Sequence, residues 1–170
     1  MALEKLTYQL KDGPILILGG INGEILKIEN GKCLKCSDIE IINNKKIYIT
    51  TQLSEIDIEK ECDLVCYILA LPFGISNWDY VRKICINTSK ELSCEVCFIN
   101  IVGGNDNLVY FGLSSVFSSS GDLKARALAF REDILLFALG SNNSKIENIP
   151  EKFESIFLAL VTGLRDFCKK

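Results

Sequence analysis

Residues 100–115 read N-I-V-G-G-N-D-N-L-V-Y-F-G-L-S-S, a stretch in which glycines and a carboxylate separate short apolar runs. Gly103, Gly104 and Gly112 permit tight turns, because glycine has no Cβ to restrict its backbone. Asp106 can brace or cap such a turn with its short polar side chain. The stretch predicts short strands joined by tight turns, with a structural motif made of Asn100, Gly103, Gly104, Asp106, Gly112 and Ser114.

Strand-like segments lie on both sides of this motif. Residues 63–71 form a continuous apolar run, which is typical of a strand covered on both faces. Asn30 and Gly31 give the strongest short hairpin signal in the chain, because this dipeptide suits a two-residue turn between antiparallel strands. The predicted strands besides 63–71 are residues 15–18, 24–28, 33–36, 46–50, 95–102, 108–110, 114–117 and 134–139.

Two longer segments carry the apolar spacing of a helix. Pro150 stands where the C-terminal helix can begin, and Glu151 and Glu154 favour the positive end of its dipole. A second helix is predicted to begin at Asn77, with this residue as its cap. We expect each helix to bury an apolar stripe. On the C-terminal helix the stripe consists of Phe153, Ile156, Phe157, Leu160, Val161, Leu164 and Phe167. On the helix that begins at Asn77 it consists of Trp78, Val81, Ile84, Cys85, Thr88 and Leu92.

The alternation of strands and helices predicts an α/β fold in which helices cover β-sheet. Shorter helical patterns occupy residues 3–10 and 57–61. With 170 residues, of which 48% are hydrophobic, the chain is long enough for one domain with a substantial core.

Composition excludes several classes of function. The net charge of −3 provides no basic field for a nucleic acid, and no apolar run approaches the length of a membrane helix. We therefore expect neither nucleic acid nor membrane as a partner and place the protein in the cytoplasm. Histidine is absent, which rules out Ser-His-Asp and Cys-His catalytic groups.

The eight cysteines are expected to be reduced thiols that pack as small apolar side chains. Two C-x-x-C pairs, Cys33 with Cys36 and Cys94 with Cys97, raise the alternative of a four-thiolate zinc site. We favour packing, because residues three apart on a strand point to opposite faces of the sheet. A redox disulfide between Cys33 and Cys36 is disfavoured, because the pair follows a hairpin rather than opening a helix. No metal and no cofactor are predicted.

Two further pairs have a chemical and a structural interpretation. Glu132 and Asp133 resemble a paired general acid and base, but adjacent residues of a strand point apart, so turn and salt-bridge roles are favoured. Trp78 with Phe73 would suit a stacking platform, whereas the helical stripe favours core packing.

Four motifs together resemble the nitrilase-type glutaminase domain of glutamine-dependent NAD synthetases. That domain carries N-x-V-G-G-x-D, then G-x-S, then F-x-E-D, which are similar to residues 100–106, 112–114 and 130–133 here. Residues 159–167, A-L-V-T-G-L-R-D-F, resemble the helix that leads in these synthetases into the ATP-dependent domain. The resemblance implies an incomplete nitrilase-like αββα sandwich at residues 1–145 and a linker helix at 146–170.

The resemblance also shows which catalytic groups the family would place in this chain. The family uses a cysteine nucleophile, a glutamate base and a lysine that stabilises the oxyanion. The position of the cysteine reads Thr50, that of the lysine reads Ile39, and Lys35 lies four residues out of register. The glutamate belongs to an opening segment that the sequence does not contain. Two glutamine contacts of the family read Leu71 and Asn77.

We therefore expect a degenerate, N-terminally shortened glutaminase domain without glutamine hydrolysis. It would serve as a structural or docking module for the catalytic domain or subunit of an NAD synthetase, and it would form a homo-oligomer. No synthetase chemistry is expected in these residues, because the S-G-G-x-D-S loop of the family is absent. An alternative is an active amidase with relocated groups, such as Cys36 with Lys35. A third hypothesis is that the sequence is a fragment of a larger gene product.

Overall fold

The computed structural model describes residues 7–9, 13–19, 23–54, 61–141 and 145–169. These residues form eleven strands and two long helices. The strands are β1 (Leu16–Gly19), β2 (Ile25–Glu29), β3 (Lys32–Lys35), β4 (Ile39–Ile42), β5 (Lys45–Thr50), β6 (Leu64–Leu69), β7 (Glu95–Asn100), β8 (Val102–Asn105), β9 (Leu108–Phe111), β10 (Ser115–Phe117) and β11 (Leu123–Arg126). The helices are α1 (Asn77–Leu92) and α2 (Lys152–Cys168).

A six-stranded sheet in the order β11-β10-β7-β6-β5-β4 forms the centre of the molecule. Its three middle strands, β5, β6 and β7, are parallel, and the outer pairings are antiparallel. Alternate residues of β6 pack on opposite faces: Val65 and Tyr67 on one, Leu64 and Cys66 on the other. The predicted strand with two covered faces is confirmed.

Different layers cover the two faces of this sheet. Helix α1 packs its buried residues Val81, Ile84 and Cys85 into the main core on one face. The antiparallel sheet β1-β2-β3 covers part of the other face, where Ile25 meets Ile49 in a second core. The predicted α/β layering is therefore confirmed, and so is the Asn30-Gly31 hairpin between β2 and β3.

Helix α2 lies on a separate hairpin formed by β8 and β9. Its only fully buried residues are Ala159 and Thr162. Within the described part of the chain the apolar stripe of α2 is largely exposed, so its predicted burial against another surface stays a prediction. We call the five most exposed positions the outer face of α2: Phe153, Phe157, Leu160, Leu164 and Phe167.

Other differences from the predictions have local causes. Asn77 does not cap α1: Ser76 is the N-cap, and the Asn77 amide nitrogen donates to the Pro72 carbonyl at 2.8 Å. The strand predicted at 95–102 ends at Asn100 and resumes at Val102 in another sheet. Residues 134–139 are irregular, and β11 was not predicted.

The helices predicted at 3–10 and 57–61 fall almost wholly outside the described residues; residues 7–9 are helical. No helix in the described part of the chain is long and apolar enough to cross a membrane.

Candidate functional site

Thr50 is the last residue of β5, at the carboxyl ends of the parallel strands. It lies beside Tyr67 of β6 and is half-buried. Its hydroxyl oxygen accepts a hydrogen bond from the Gln52 backbone N–H at 3.1 Å. A threonine hydroxyl becomes a nucleophile only when a base removes its proton. The contact with Gln52 provides no base, so the geometry gives Thr50 no activation.

Ile39 and Lys35 do not provide an oxyanion-stabilising cation next to Thr50. Ile39 opens β4 and pairs with Tyr48 of the neighbouring strand. Lys35 ends β3 and is exposed, and its ammonium forms an ion pair with Glu24 at 3.0 Å. The lysine is therefore held at the surface of the three-stranded sheet.

Cys36 is a poor nucleophile in this fold. Its thiol is buried, and burial together with the Glu40 carboxylate raises its pKa to about 11. At neutral pH it is a thiol rather than the reactive thiolate. Lys35 turns toward Glu24 instead of toward this sulfur. The pairing of Cys36 with Lys35, named above as one example of relocated catalytic groups, is not assembled.

Leu71 and Asn77 shape the loop between β6 and α1. Asn100 binds both backbone groups of Leu71: its Oδ1 accepts from the Leu71 N–H at 2.8 Å, and its Nδ2 donates to the Leu71 carbonyl at 3.2 Å. The Leu71 side chain packs against the main core. The amide nitrogen of Asn77 is engaged by Pro72.

The side chain and backbone of Asn100 together join three segments of the chain. Besides Leu71, its Nδ2 donates to the Gly112 carbonyl at 3.3 Å, and the Asn100 N–H donates to Ser114 Oγ at 3.0 Å. Gly112 has a φ of +67°, and a Cβ there would lie 3.2 Å from the Leu128 carbonyl oxygen. Asn100, Gly112 and Ser114 thus hold the ends of β7, β9 and β10 in place.

Gly103 and Gly104 let helix α2 approach the hairpin closely. A Cβ on Gly104 would lie 3.2 Å from the Gly163 Cα of α2, and the Gly104 N–H donates to Asp166 Oδ2 at 2.8 Å. Arg165 and this N–H lower the pKa of Asp166 to about 2, so it is a carboxylate at neutral pH. Asp106 adopts a φ of 52° in the turn between β8 and β9. The glycine pair and the G-L-R-D string are therefore two sides of one contact, which the separate motifs did not predict.

The cysteines of the two C-x-x-C pairs face different surroundings. Cys94 packs in the core beneath α1, and Cys97 packs in the core on the opposite face of the sheet. Cys33 is exposed, and Cys36 is buried. Within the described residues, no group of three or more histidine, cysteine, aspartate or glutamate side chains is placed to hold a metal ion.

Asp133 braces a loop rather than facing a reactive partner. One of its carboxylate oxygens accepts from the Leu128 N–H at 3.1 Å, and the other accepts from the Ile134 N–H at 2.9 Å. Lys145 lies 3.3 Å from the same carboxylate. This arrangement favours the turn and salt-bridge interpretation of the Glu132-Asp133 pair.

Comparison with known proteins gives relatives of one kind. A glutamine-dependent NAD(+) synthetase of Aquifex aeolicus is 28% identical over 144 aligned residues, covering 64% of this chain and 25% of the relative. One from Synechocystis sp. is also 28% identical, covering 79% of this chain and 26% of the relative. The chain is similar in sequence to glutamine-dependent NAD(+) synthetases. It spans about a quarter of their length. No family model matches it.

Solved structures establish the fold of this chain. A glutamine-dependent NAD+ synthetase from Acinetobacter baumannii, in complex with ADP, superposes with a TM-score of 0.71 at 18% identity, covering 98% of this chain and 40% of that one. A carbon-nitrogen hydrolase from Helicobacter pylori G27 gives a TM-score of 0.58 at 14% identity, over 77% of this chain and 62% of that one. The predicted nitrilase-like fold is confirmed.

Proposed function

We propose that this chain is a glutaminase-like domain that does not hydrolyse glutamine and that docks onto the catalytic domain or subunit of an NAD(+) synthetase. In this role it takes part in NAD biosynthesis without supplying ammonia. The observation that carries the proposal is the outer face of α2, five large apolar side chains that are 64 to 82% exposed. The kinship with NAD(+) synthetases supports the choice of partner.

The outer face has the geometry of a protein interface. Its members are four, three, four and three residues apart along the helix, which is the spacing of a seam that packs against another helix. Contiguous exposed apolar patches on monomers mark interaction sites, because their burial removes apolar surface from water. The contact of Gly104 with Gly163 and Asp166 holds the opposite side of α2 against its own domain. The outer face is thus presented rigidly.

The absence of hydrolysis is supported by the residues at the family's catalytic positions. Thr50 has no base beside it, Ile39 carries no charge, and the Leu71 side chain offers no hydrogen bond to a substrate amide. The pKa of Cys36, about 11, weighs against the alternative of a relocated nucleophile.

Residues 1–145 are proposed to form the glutaminase-like domain and 146–170 the connection to the synthetase. We further propose that the protein acts in the cytoplasm, where its eight free thiols remain reduced, and that copies of it self-associate. Light scattering on the purified chain measures this association separately from synthetase binding.

Copurification tests the docking proposal. The tagged chain is coexpressed with an NAD(+) synthetase polypeptide from the same cell, and the captured synthetase is measured. We expect the double variant Leu160→Glu, Leu164→Glu to lose the synthetase, because it places two carboxylates in the seam. The control Ile41→Glu puts a carboxylate at an equally exposed apolar position on β4 and should leave capture intact. Absence of capture by the unmodified chain, or equal capture by the double variant, would contradict the proposal.

An assay of ammonia released from glutamine tests the second part. We expect no release above that of buffer. Release that disappears in Cys36→Ala would instead establish the active amidase.

A further inference from the structure

A cavity of about 600 Å³ lies between the start of α1, strand β11 and the segment that precedes α2. We call it the arginine cleft. Its apolar wall includes Phe73, Phe111 and Phe130, and the rings of Phe73 and Phe130 meet edge to face with centroids 5.3 Å apart. Small-molecule sites are commonly concave, mostly apolar and of about 300–1,000 Å³, so the cavity has a suitable size and lining.

Two guanidinium groups face this apolar cavity. Arg126 lies over the Trp78 ring, 5.9 Å from its centroid, and its Nε donates to the Glu147 carbonyl at 2.6 Å. Arg82, one turn along α1 from Trp78, lines the same cavity. Neither arginine forms an ion pair with a carboxylate among the described residues.

The balance of charge in the cleft is positive. Arg82, Arg126 and Lys152 line it, against Asp79 as the single carboxylate among its described lining residues. Burial and the neighbouring charge of Arg82 lower the pKa of Arg126, which means that the two cations repel each other in partly desolvated surroundings. An anion placed between them would remove this repulsion.

We propose that the arginine cleft binds a small organic anion that carries a carboxylate or phosphate on a flat aromatic body. Guanidinium groups recognise both anions through paired hydrogen bonds. The aromatic wall and the Trp78 ring supply stacking surface for the body of the ligand. An inorganic anion alone would leave most of the cavity unfilled. This site goes beyond the docking proposal and does not depend on it.

Trp78 makes the site measurable, because it is the only tryptophan in the chain. Tryptophan fluorescence is followed during titration with AMP, which carries a phosphate, and with benzoate, which carries a carboxylate. Adenosine, which has the ring system of AMP without its charge, is the neutral comparison. We expect a saturable change with at least one anion; if AMP is the one that binds, adenosine should bind more weakly.

Substitution of Arg82 assigns the binding to the cleft. Its side chain makes no hydrogen bond to a described residue, so Arg82→Gln should fold normally, which circular dichroism checks. We expect it to weaken anion binding by about tenfold, the scale of one lost charge-assisted hydrogen bond. Arg131→Gln removes the same charge from an exposed position outside the cleft and should bind as the unmodified chain does. The proposal is overturned if neither anion gives a saturable change, if AMP binds and adenosine binds equally well, or if Arg82→Gln binds the responding anion normally.

Discussion

At the scale of single residues, Asp166 and Gly104 show why a glycine pair stands in the motif. The Asp166 carboxylate accepts the Gly104 N–H, while the missing side chain of Gly104 leaves room for the backbone of Gly163. The close approach of the helix to the strand thus depends on the absence of a Cβ at Gly104 and on the carboxylate of Asp166.

Gly104→Ala tests this approach. The added Cβ would lie 3.2 Å from the Gly163 Cα and 3.3 Å from the Asp166 Cβ, so backbone must move. We expect the free energy of unfolding, measured in urea, to fall by about 1 to 3 kcal/mol. Gly163→Ala should cost less, because its Cβ meets only the Val109 side chain and the helix gains about 1 kcal/mol of propensity. Unchanged stability of Gly104→Ala would contradict the close packing.

Glu40 links the two sheets through Lys27. Its carboxylate lies 2.7 Å from the Lys27 ammonium, and this partner lowers the pKa of Glu40 to about 2. A depressed pKa in the folded state means that the stabilisation is complete above the unfolded pKa of about 4.3 and is lost as the pH falls through about 2.

We expect Glu40→Gln to lower the free energy of unfolding by about 1 to 3 kcal/mol at neutral pH, where it leaves Lys27 without its closest partner. The difference from the unmodified chain should narrow between about pH 4.3 and 2 in denaturation curves recorded across this range. Glu24→Gln removes a carboxylate from an exposed pair and should have little effect. A difference independent of pH would show that the ion pair is not its cause.

At the scale of elements, α2 is a helix with two sides of different use. Its inner side carries Ala159, Thr162 and Gly163 and fits the β8–β9 hairpin, whereas its outer face is apolar and exposed. The spacing of the apolar residues predicts both the helix and the stripe. The spacing cannot predict whether the stripe is buried, because burial depends on what packs against the helix.

Substitution on the two sides of α2 should have opposite consequences. The triple variant Phe157→Ser, Leu160→Ser, Leu164→Ser should change the free energy of unfolding by only about 0.5 kcal/mol per site and should reduce the fluorescence of a bound hydrophobic dye. Ala159→Asp, beside these sites but on the inner side, should destabilise the fold strongly, because it buries an unpaired carboxylate. Equal losses of stability on both sides would mean that the outer face is covered in solution.

The sequence predicts most elements but not all pairings. Residues 134–139 alternate as a strand would: Leu135, Phe137 and Leu139 pack inward. They form no ladder, because residues 145–147 pair with Arg126 at the outer edge of β11. Strand β11 was not predicted because its charged residues break the alternation of apolar and polar residues that marks a strand. Lys124, for example, is charged but buried, where it pairs with Glu95. Such pairings depend on residues far away in the sequence, whereas the spacing of apolar residues describes only one short segment at a time.

The functional positions divide in the same way. Thr50 could be placed at a strand end from the sequence, whereas Asn100 was predicted inside a strand that in fact ends there, and β6 ends two residues before Leu71. The arginine cleft could not be predicted, since Arg82, Arg126 and Lys152 come from distant segments with no shared motif. Only the folded chain brings them to one cavity.

At the scale of the whole molecule, the thiols are distributed by depth. Cys33 and Cys168 are exposed, whereas four are buried: Cys36, Cys85, Cys94 and Cys97. Burial raises the pKa of Cys36 to about 11 and that of Cys85 to about 12. The layered fold therefore protects thiols that the sequence alone leaves equivalent.

This distribution predicts a fastest and a slowest class of thiol in the native protein, with the half-buried Cys62 and Cys66 between them. The exposed pair should react rapidly with a thiol reagent at neutral pH, and the four buried cysteines should react only as the protein unfolds. The reaction is followed in native buffer and again in denaturant, with Cys33→Ser and Cys168→Ser removing the fastest class. Rapid modification of Cys36 or Cys85 in native buffer would contradict the described packing.

The contact between Gly104 and the Gly163–Asp166 turn of α2 also has a consequence for how the sequence can vary in evolution. Gly104 cannot gain a side chain unless the Gly163–Asp166 turn gives way, so the two motifs should vary together among related sequences. A group that once touched a substrate is under no such mutual constraint once the substrate is no longer used. Proteins that lose an enzymatic activity would then conserve the residues that determine the fold for longer than the residues that carried out the reaction.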